Sequence, residues 1–247
     1  MKKILITNDD GIFAIGLRPL VEGISSVGNV IVVVPDKERS AVSHSLTLQE
    51  PIRARKIYKN TYILNGTPAD CVRFGIISIC KNKVDLVISG INFGANLGQD
   101  VIYSGTVGAA REAVFMGYPS FAISLVSKAG KNFQTAAKFA VKIAKFLLRN
   151  KFQKKFLLNV NVPDLPPNKI TGIEITSLGE RVYEDIVHHR KDPYGLSYYW
   201  LKSRLVKGKN IPGTDITAIK NKKISITPLS IDHTDFSMIE ELKKYEF

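Results

Sequence analysis

The apolar residues near the start of the chain follow two different patterns. Two short runs rich in Ile and Val, at residues 2–7 and 30–34, predict strands buried on both faces of a sheet. Between them, apolar residues recur at the spacing of a helix that faces a core: Leu17, Leu20, Val21 and Ile24. A strand, a helix and a second strand in this order predict a parallel sheet built from crossover units.

The alternation of strands and helices continues to about residue 175. Thr67 followed by Pro68 is typical of a helix start, with a hydroxyl cap and a proline in the first turn. The other predicted elements are a hairpin at 51–66, strands at 84–90, 119–126 and 156–163, helices at 68–80, 106–117 and 134–149, and a glycine-rich loop between Gly90 and Gly105.

The segment 178–222 is less regular, and its place in the sheet stays open. It contains a strand-like run with Tyr198, Tyr199 and Trp200, which need a surface to bury against. An extension that reaches a partner subunit and a plain excursion on the same domain are equally consistent with this pattern. A late strand, ISITPL, and a short terminal helix follow.

Composition narrows the class of protein. With 247 residues, 45% of them hydrophobic and 23% charged, the chain suits one large α/β domain and not a disordered protein. The apolar start is too short for a signal peptide and no later run suggests a membrane span, so we expect a cytoplasmic location. Cys71 and Cys80 form no CxxC pair and are interpreted as buried, reduced thiols.

The net charge of +13 raises the hypothesis of a nucleic-acid partner. The charge is uneven, however, with +3 in residues 1–127 and +10 in residues 128–247. The excess therefore lies outside the part of the chain with unusual motifs, and its lysines lack interleaved aromatic residues. A solvated lysine-rich face that weakly attracts anions is the favoured interpretation.

The most unusual motif is ITNDDGIFAIG, where Asp9 and Asp10 stand side by side at the end of the first strand. In a doubly wound sheet, the loops at the carboxyl ends of the strands share one rim, where ligands bind. This rule predicts that four stretches meet in one crevice: residues 8–10, 35–45, 89–98 and 103–110.

The side chains of these stretches favour a hard divalent cation. Asp9 and Asp10 supply carboxylates, and Ser40 and Asn92 supply neutral oxygens, a set suited to Mg²⁺, Mn²⁺ or Ca²⁺ rather than zinc. A helix cap followed by a surface acid is the alternative for the acidic pair. His44, the one histidine near the rim, is either a general acid or an ordinary loop histidine.

The stretch SGTVGAA predicts a phosphate site at the start of a helix. Ser104, Gly105 and Thr106 would offer hydroxyls and unpaired backbone N–H groups at the positive end of a helix dipole. Beside a divalent cation, such a cradle indicates phosphoryl transfer or phosphate-ester hydrolysis. The first loop lacks GxGxxG, which argues against a nicotinamide cofactor, and there is no Walker pattern.

The chain resembles the SurE proteins, a family of survival-protein 5′-nucleotidases that hydrolyse nucleoside monophosphates. The resemblance rests on five motifs in the family's order: ILITNDDGIFAIG, VVVPDKERSAVSHSLTL, NGTPADCV, DLVISGINFGANLGQDVIYSGTVGAAREA and GTDITAIKNKKISITPL.

The resemblance implies a single α/β domain over residues 1–247, with a Rossmann-like parallel-sheet core and helices on both faces. It also implies a C-terminal β-rich extension, placed at 178–222, that is exchanged between the subunits of a homodimer or homotetramer. One Mg²⁺ or Mn²⁺ per subunit is expected. No membrane or specific nucleic-acid partner is expected.

The family's functional residues fall on named positions of this sequence. The implied metal ligands are Asp9, Asp10, Ser40 and Asn92, with Asp9 and Asp10 also catalytic; the implied phosphate contacts are Asn8, Asn96, Ser104, Gly105 and Thr106. The expected reaction is hydrolysis of nucleoside 5′-monophosphates, with 3′-monophosphates and short polyphosphate as further candidate substrates. A nucleotide-binding module without hydrolysis and a nucleic-acid-binding protein remain as alternatives.

Overall fold

The computed structural model describes residues 1–127, 129–150, 152 and 156–245, and for residues 205–207 the backbone alone. The strands are β1 (Lys3–Thr7), β2 (Asn29–Pro35), β3 (Ala54–Tyr58), β4 (Thr61–Leu64), β5 (Leu86–Phe93), β6 (Ser120–Val126), β7 (Leu157–Pro163), β8 (Gly172–Ile175), β9 (Arg181–Lys191), β10 (Ser197–Gly208) and β11 (Lys223–Leu229). The α-helices are α1 (Leu17–Ile24), α2 (Pro68–Phe74), α3 (Gly105–Phe115), α4 (Phe133–Arg149), α5 (Asp215–Lys220) and α6 (Phe236–Leu242). None of the described helices is long and apolar enough to span a membrane.

Nine strands form the main sheet, in the order β3-β4-β2-β1-β5-β6-β7-β11-β8. The six neighbours from β4 to β7 run parallel, which confirms the predicted crossover units. From β1 the chain first builds outward through β2, and β5 then returns to the other side of β1. The order therefore reverses between β1 and β5, and such a switch point is where open α/β sheets bind ligands.

Helices cover both faces of the sheet, because successive side chains of a strand point to opposite faces. Ile4 and Ile6 of β1 belong to the core cluster beneath α1 and α4, whereas Leu5 belongs to the cluster beneath α2. The uninterrupted apolar runs in the sequence thus reflect burial on both sides. The predicted α/β class with helices on both faces is confirmed.

Two predicted boundaries were wrong. The sequence predicted a loop from Gly90, but β5 continues to Phe93 because Asn92 and Phe93 keep pairing with β6. The rest of that segment contains a 3₁₀ turn at Gly98–Ile102. The helix predicted at 68–80 is α-helical only to Phe74 and continues as a π turn at Gly75–Ile79.

The segment that could not be placed from the sequence forms a separate two-stranded antiparallel sheet, β9 with β10, followed by α5. Its base is fastened to the 3₁₀ turn, where Arg181 forms an ion pair with Asp100 and its backbone N–H donates to Gln99 at 2.9 Å. Strand β8, which the sequence did not predict, pairs with β11 at the edge of the main sheet.

The two cysteines lie where the sequence placed them. Cys71 and Cys80 are both buried and free, and burial raises the pKa of each thiol. Both are therefore poor nucleophiles, because the thiolate is the reactive form.

Candidate active site

A cavity of about 530 Å³ opens at the switch point between β1 and β5. Each of the four predicted stretches contributes to its walls, which confirms that they share one crevice. The polar side chains that line it are Asp9, Asp10, Glu38, Ser40, Asn92, Asn96, Asp100 and Ser104, and its less polar wall includes Phe13, Ile15, Phe93 and Tyr103.

The loop after β1 is closed by Asn8, which is fully buried. Its side-chain amide donates to the carbonyl of Gly11 at 2.8 Å, and its side-chain oxygen accepts from the N–H of Gly11 at 3.0 Å. Gly11 has φ +84°, a conformation that glycine adopts without steric cost. This tight turn is what places Asp9 and Asp10 at the mouth of the sheet.

Asp9 is the more deeply buried of the two acids, with 5% of its surface exposed. Its Oδ1 accepts a 2.5 Å hydrogen bond from the Thr106 hydroxyl at the start of α3. Gly105 allows this approach, since a Cβ there would lie 3.1 Å from Asp9 Oδ2. Burial raises the pKa of Asp9, although the hydrogen bonds from Thr106 oppose that shift.

The ionised form of Asp10 is destabilised by its surroundings. Burial, followed by the negative charge of Asp9, raises the pKa of Asp10 to about 6. The one hydrogen bond that opposes this shift comes from the backbone N–H of Phe93, at 3.4 Å. In the part of the chain that the structure describes, neither Asp9 nor Asp10 forms an ion pair with a Lys or Arg side chain.

The charge of the cavity bears directly on whether a cation fits. Its described lining includes four carboxylates and no Lys, Arg or His, and of the four only Asp100 is paired, with Arg181. A phosphate dianion would be repelled from such a surface, whereas a divalent cation would relieve the repulsion between Asp9 and Asp10. The cavity therefore fits an anionic ligand together with a metal ion.

The oxygen donors in the cavity also fit a hard cation. The Nδ2 of Asn92 donates to the carbonyl of Gly94 at 3.0 Å, which leaves its Oδ1 as an acceptor, and the Ser40 hydroxyl lies 2.7 Å from Glu38. Two carboxylates, an amide oxygen and a hydroxyl form the all-oxygen donor set that Mg²⁺ and Mn²⁺ prefer. Among the described residues, no group of three or more His, Cys, Asp or Glu side chains is arranged for a metal, so the neutral donors are needed to complete this set.

The residue that caps α3, Ser104, also lines the cavity. Ser104 caps the helix by accepting from the N–H of Val107 at 3.1 Å. The first amides of a helix have no partner within it and carry the positive end of the helix dipole, which favours an anion. The Thr106 hydroxyl is bonded to Asp9 and the N–H of Val107 is bonded to Ser104, so both of these groups are already used within the protein.

Asn96 is held rigidly by a buried polar network. Its Nδ2 donates to Ser124 Oγ at 2.8 Å, and its carbonyl accepts from Asn159 at 2.7 Å and from Asn161 at 2.9 Å. An amide nitrogen carries two hydrogens, so Asn96 keeps one more donor for a ligand in the cavity.

Comparison with known proteins identifies the family. The family model for the survival protein SurE matches residues 4–185 of this chain. The chain belongs to the SurE family. It is 48% identical to the 5′-nucleotidase SurE of Geotalea daltonii, over 99% of both chains, and 44% identical to that of Moorella thermoacetica, over 98% of this chain and 95% of the other. The crystal structure of the SurE protein from Aquifex aeolicus matches with a TM-score of 0.88 and 41% identity, over 98% of both chains.

Six of the nine residues that the SurE resemblance assigned to metal or phosphate line the cavity: Asp9, Asp10, Ser40, Asn92, Asn96 and Ser104. The remaining three, Asn8, Gly105 and Thr106, lie behind its wall and shape the loop and helix that carry the others.

His44 lies elsewhere. Its Nε2 is 2.6 Å from Glu112 Oε2 on α3, and it is not among the residues that line the cavity. Its position therefore favours a structural role over that of general acid. Glu38 and Asp100, which do line the cavity, were missed, although both stand within the motifs PDKERS and GQDVIYSG that marked the site.

Proposed function

We propose that this SurE chain is a phosphatase that hydrolyses nucleoside 5′-monophosphates to nucleoside and phosphate, with Mg²⁺ or Mn²⁺ as cofactor. The observation that carries the proposal is the pair Asp9 and Asp10, which forms no ion pair with a described Lys or Arg, in a cavity that Ser104 at the start of α3 also lines. The name of the relatives, 5′-nucleotidase SurE, supports the same reaction. Nucleoside 3′-monophosphates and short polyphosphate are further candidate substrates.

The residues of the cavity divide into two groups by role. Asp9, Asp10, Ser40 and Asn92 would hold the cation, which when bound supplies a positive charge that polarises a phosphoryl oxygen and lowers the pKa of water. Asn96 and the α3 start would hold the phosphate by hydrogen bonds from the amide and from backbone N–H groups. The hydrogen bond from the Thr106 hydroxyl to Oδ1 fixes Asp9 in place.

We also propose a homodimer or homotetramer in which the segment 178–222 contacts another subunit. The large exposed apolar side chains of β10 support this interpretation. The cytoplasmic location stays a prediction from the sequence.

The decisive experiment is phosphate release from a panel of nucleoside monophosphates by protein stripped with a chelator, with and without Mn²⁺ or Mg²⁺. We expect release that depends on the cation, and we expect Asp9→Asn to lower turnover at least about a hundredfold, because an electrostatic group at the reaction centre is removed.

The matched control is Glu22→Gln, an exposed carboxylate on α1 outside the cavity, which should keep full activity. Nucleotide binding without phosphate release from any substrate would replace the proposal by a binding module. Full turnover by a folded Asp9→Asn variant would refute the role of Asp9.

A further inference from the structure

Two aromatic side chains at the cavity have no role in holding a cation or a phosphate. Phe13 is 94% exposed and Phe93 is 46% exposed, and both line the cavity. Single exposed apolar residues are common on protein surfaces, but an apolar patch joined to a polar cleft marks a ligand site.

Both aromatic residues stand close in sequence to site residues. Phe13 lies in the loop after β1, three residues after Asp10, and Phe93 is the last residue of β5 and directly follows Asn92. Strands β1 and β5 are adjacent and parallel, and the N–H of Phe93 donates to Asp10 Oδ2 at 3.4 Å. The aromatic rings are therefore carried by the same short segments as the acidic residues of the cavity.

Phe93 is supported from behind. Its ring centroid lies 6.1 Å from that of Phe133, at an interplanar angle of 57°, and Phe133 is only 4% exposed. Gly130 makes room for this packing, because a Cβ at that position would come within 3.1 Å of both rings. One part of the Phe93 ring is thus anchored on the core, and the rest is open to solvent.

The lining of the cavity therefore combines two kinds of side chain. Carboxylates and amides can bind polar groups, and Phe13, Ile15, Phe93 and Tyr103 offer apolar surface beside them. A phosphate ester that carries a flat apolar ring system matches both kinds of lining, whereas a polyphosphate would gain nothing from the aromatic side chains.

We propose that Phe13 and Phe93 bind the nucleobase by stacking, and that they make this chain select phosphomonoesters carrying an aromatic base over esters without one. The inference rests on the proposed function and specifies the substrate class of that same site. Stacking uses the face of the base and not its hydrogen-bonding edge, so the selection is for the presence of a base.

The test compares AMP with ribose 5-phosphate, which has the same sugar and phosphate but no base. We expect Phe13→Ala and Phe93→Ala each to lower kcat/KM for AMP about tenfold, the usual scale of one base–aromatic contact, and to leave kcat/KM for ribose 5-phosphate within about twofold. Phe146→Ala, an exposed phenylalanine on α4 outside the cavity, is the matched control and should change neither value.

Three results would overturn the inference. They are unchanged kcat/KM for AMP in both variants, an equal loss on both substrates, and a loss that coincides with a change of oligomeric mass in light scattering, which would make the ring a subunit contact.

A failure of the proposed function would look different, because the unaltered protein would then release phosphate from neither substrate. In that case equilibrium dialysis with AMP decides the base site alone. A Kd about tenfold weaker in the two variants supports it, and an unchanged Kd overturns it.

Discussion

At the residue scale, Asp9 and Asp10 destabilise each other in the metal-free protein. The pKa of Asp10 is raised to about 6 from the ordinary value of 3.8, because burial and the charge of Asp9 disfavour its ionised form. Between pH 3.8 and about pH 6, the folded chain therefore binds more protons at Asp10 than the unfolded chain does. The contribution of Asp10 to stability therefore falls as the pH rises through this window.

In chelator-treated protein, Asp10→Asn should therefore change the melting temperature by an amount that depends on pH. Near pH 7 the variant should melt several degrees above the parent, since the raised pKa corresponds to at most about 3 kcal/mol of strain. Near pH 4 the difference should be much smaller, because Asp10 is then protonated in the folded chain and partly protonated in the unfolded chain. Melting curves recorded from pH 4 to 8 measure this difference in melting temperature.

Adding Mn²⁺ should reverse the order at pH 7, because a cation bound at the proposed site would stabilise the parent, whereas the variant lacks one of the proposed ligands. A difference in melting temperature that does not depend on pH would contradict the account.

The sequence predicted which residues lie together at the cavity better than it predicted their contacts. Asp9, Asp10, Ser40 and Asn92 stand in motifs near strand ends, and all line the cavity. The bond between Thr106 and Asp9 joins residues 97 positions apart. No local pattern encodes such a contact, which depends on how α3 packs against the end of β1.

At the scale of elements, the loop that carries Ser40 is fastened to α3 and to the turn before it. The N–H of Ser43 donates to the carbonyl of Tyr103 at 2.9 Å, and the Ser43 hydroxyl donates to the carbonyl of Ile102 at 2.6 Å. His44 and Arg73 both contact Glu112 on α3, and although burial raises the pKa of that carboxyl, these two partners together hold it below its ordinary value.

Gly108 lets this loop lie against α3. A Cβ there would come 2.5 Å from the carbonyl oxygen of Ser43, so Gly108→Ala must push the loop away. We expect the variant to weaken Mn²⁺ binding about tenfold in calorimetry and to lose about 1–3 kcal/mol of stability, the usual effect of overpacking.

Gly23→Ala in α1 is the matched control, because the nearest neighbour of its Cβ would be a side-chain methyl of Val141, at 3.1 Å, and its other neighbours lie at ordinary contact distance. If Gly108→Ala bound Mn²⁺ as tightly as the parent, the loop would not depend on this contact.

Hydrophobic periodicity located most elements of the core but not their ends. The continuous apolar runs of β1 and β2 predict strands clearly, because both faces of each strand are buried. Strand β8 was missed since its four residues alternate between half-buried and exposed, which gives too short a pattern to detect.

At the scale of the whole molecule, the hairpin of β9 and β10 exposes several large apolar side chains. Trp200 is 66% exposed and Leu201 is 84% exposed, although both lie within a strand. A two-stranded sheet is marginally stable on its own, so these side chains need a covering surface.

We therefore predict that replacing both Trp200 and Leu201 with Ser dissociates a larger assembly. Light scattering should give the parent protein a multiple of the 27.4 kDa chain mass and the variant a value close to one chain. Tyr58→Ser, at an exposed tyrosine on β3, is the control that should keep the parent mass. A parent protein that is already monomeric would contradict the proposal.

The sequence could predict the topology of the whole molecule only for the part built from parallel strands joined by crossover connections. The rule places the ligand site at the strand ends, and the reversal between β1 and β5 lies there. It does not apply to the hairpin, whose position is set by Asp100, Gln99 and Arg181 rather than by the main sheet.

The buried network around Asn96 has a consequence for how a ligand is received. Asn159 and Asn161 fix the backbone carbonyl of Asn96 and Ser124 fixes its side chain, all through bonds made within the protein itself. If a phosphate binds here as proposed, little conformational freedom in that loop is left to lose. A smaller loss of entropy leaves more of the contact free energy as affinity, so this wall of the cavity is preorganised.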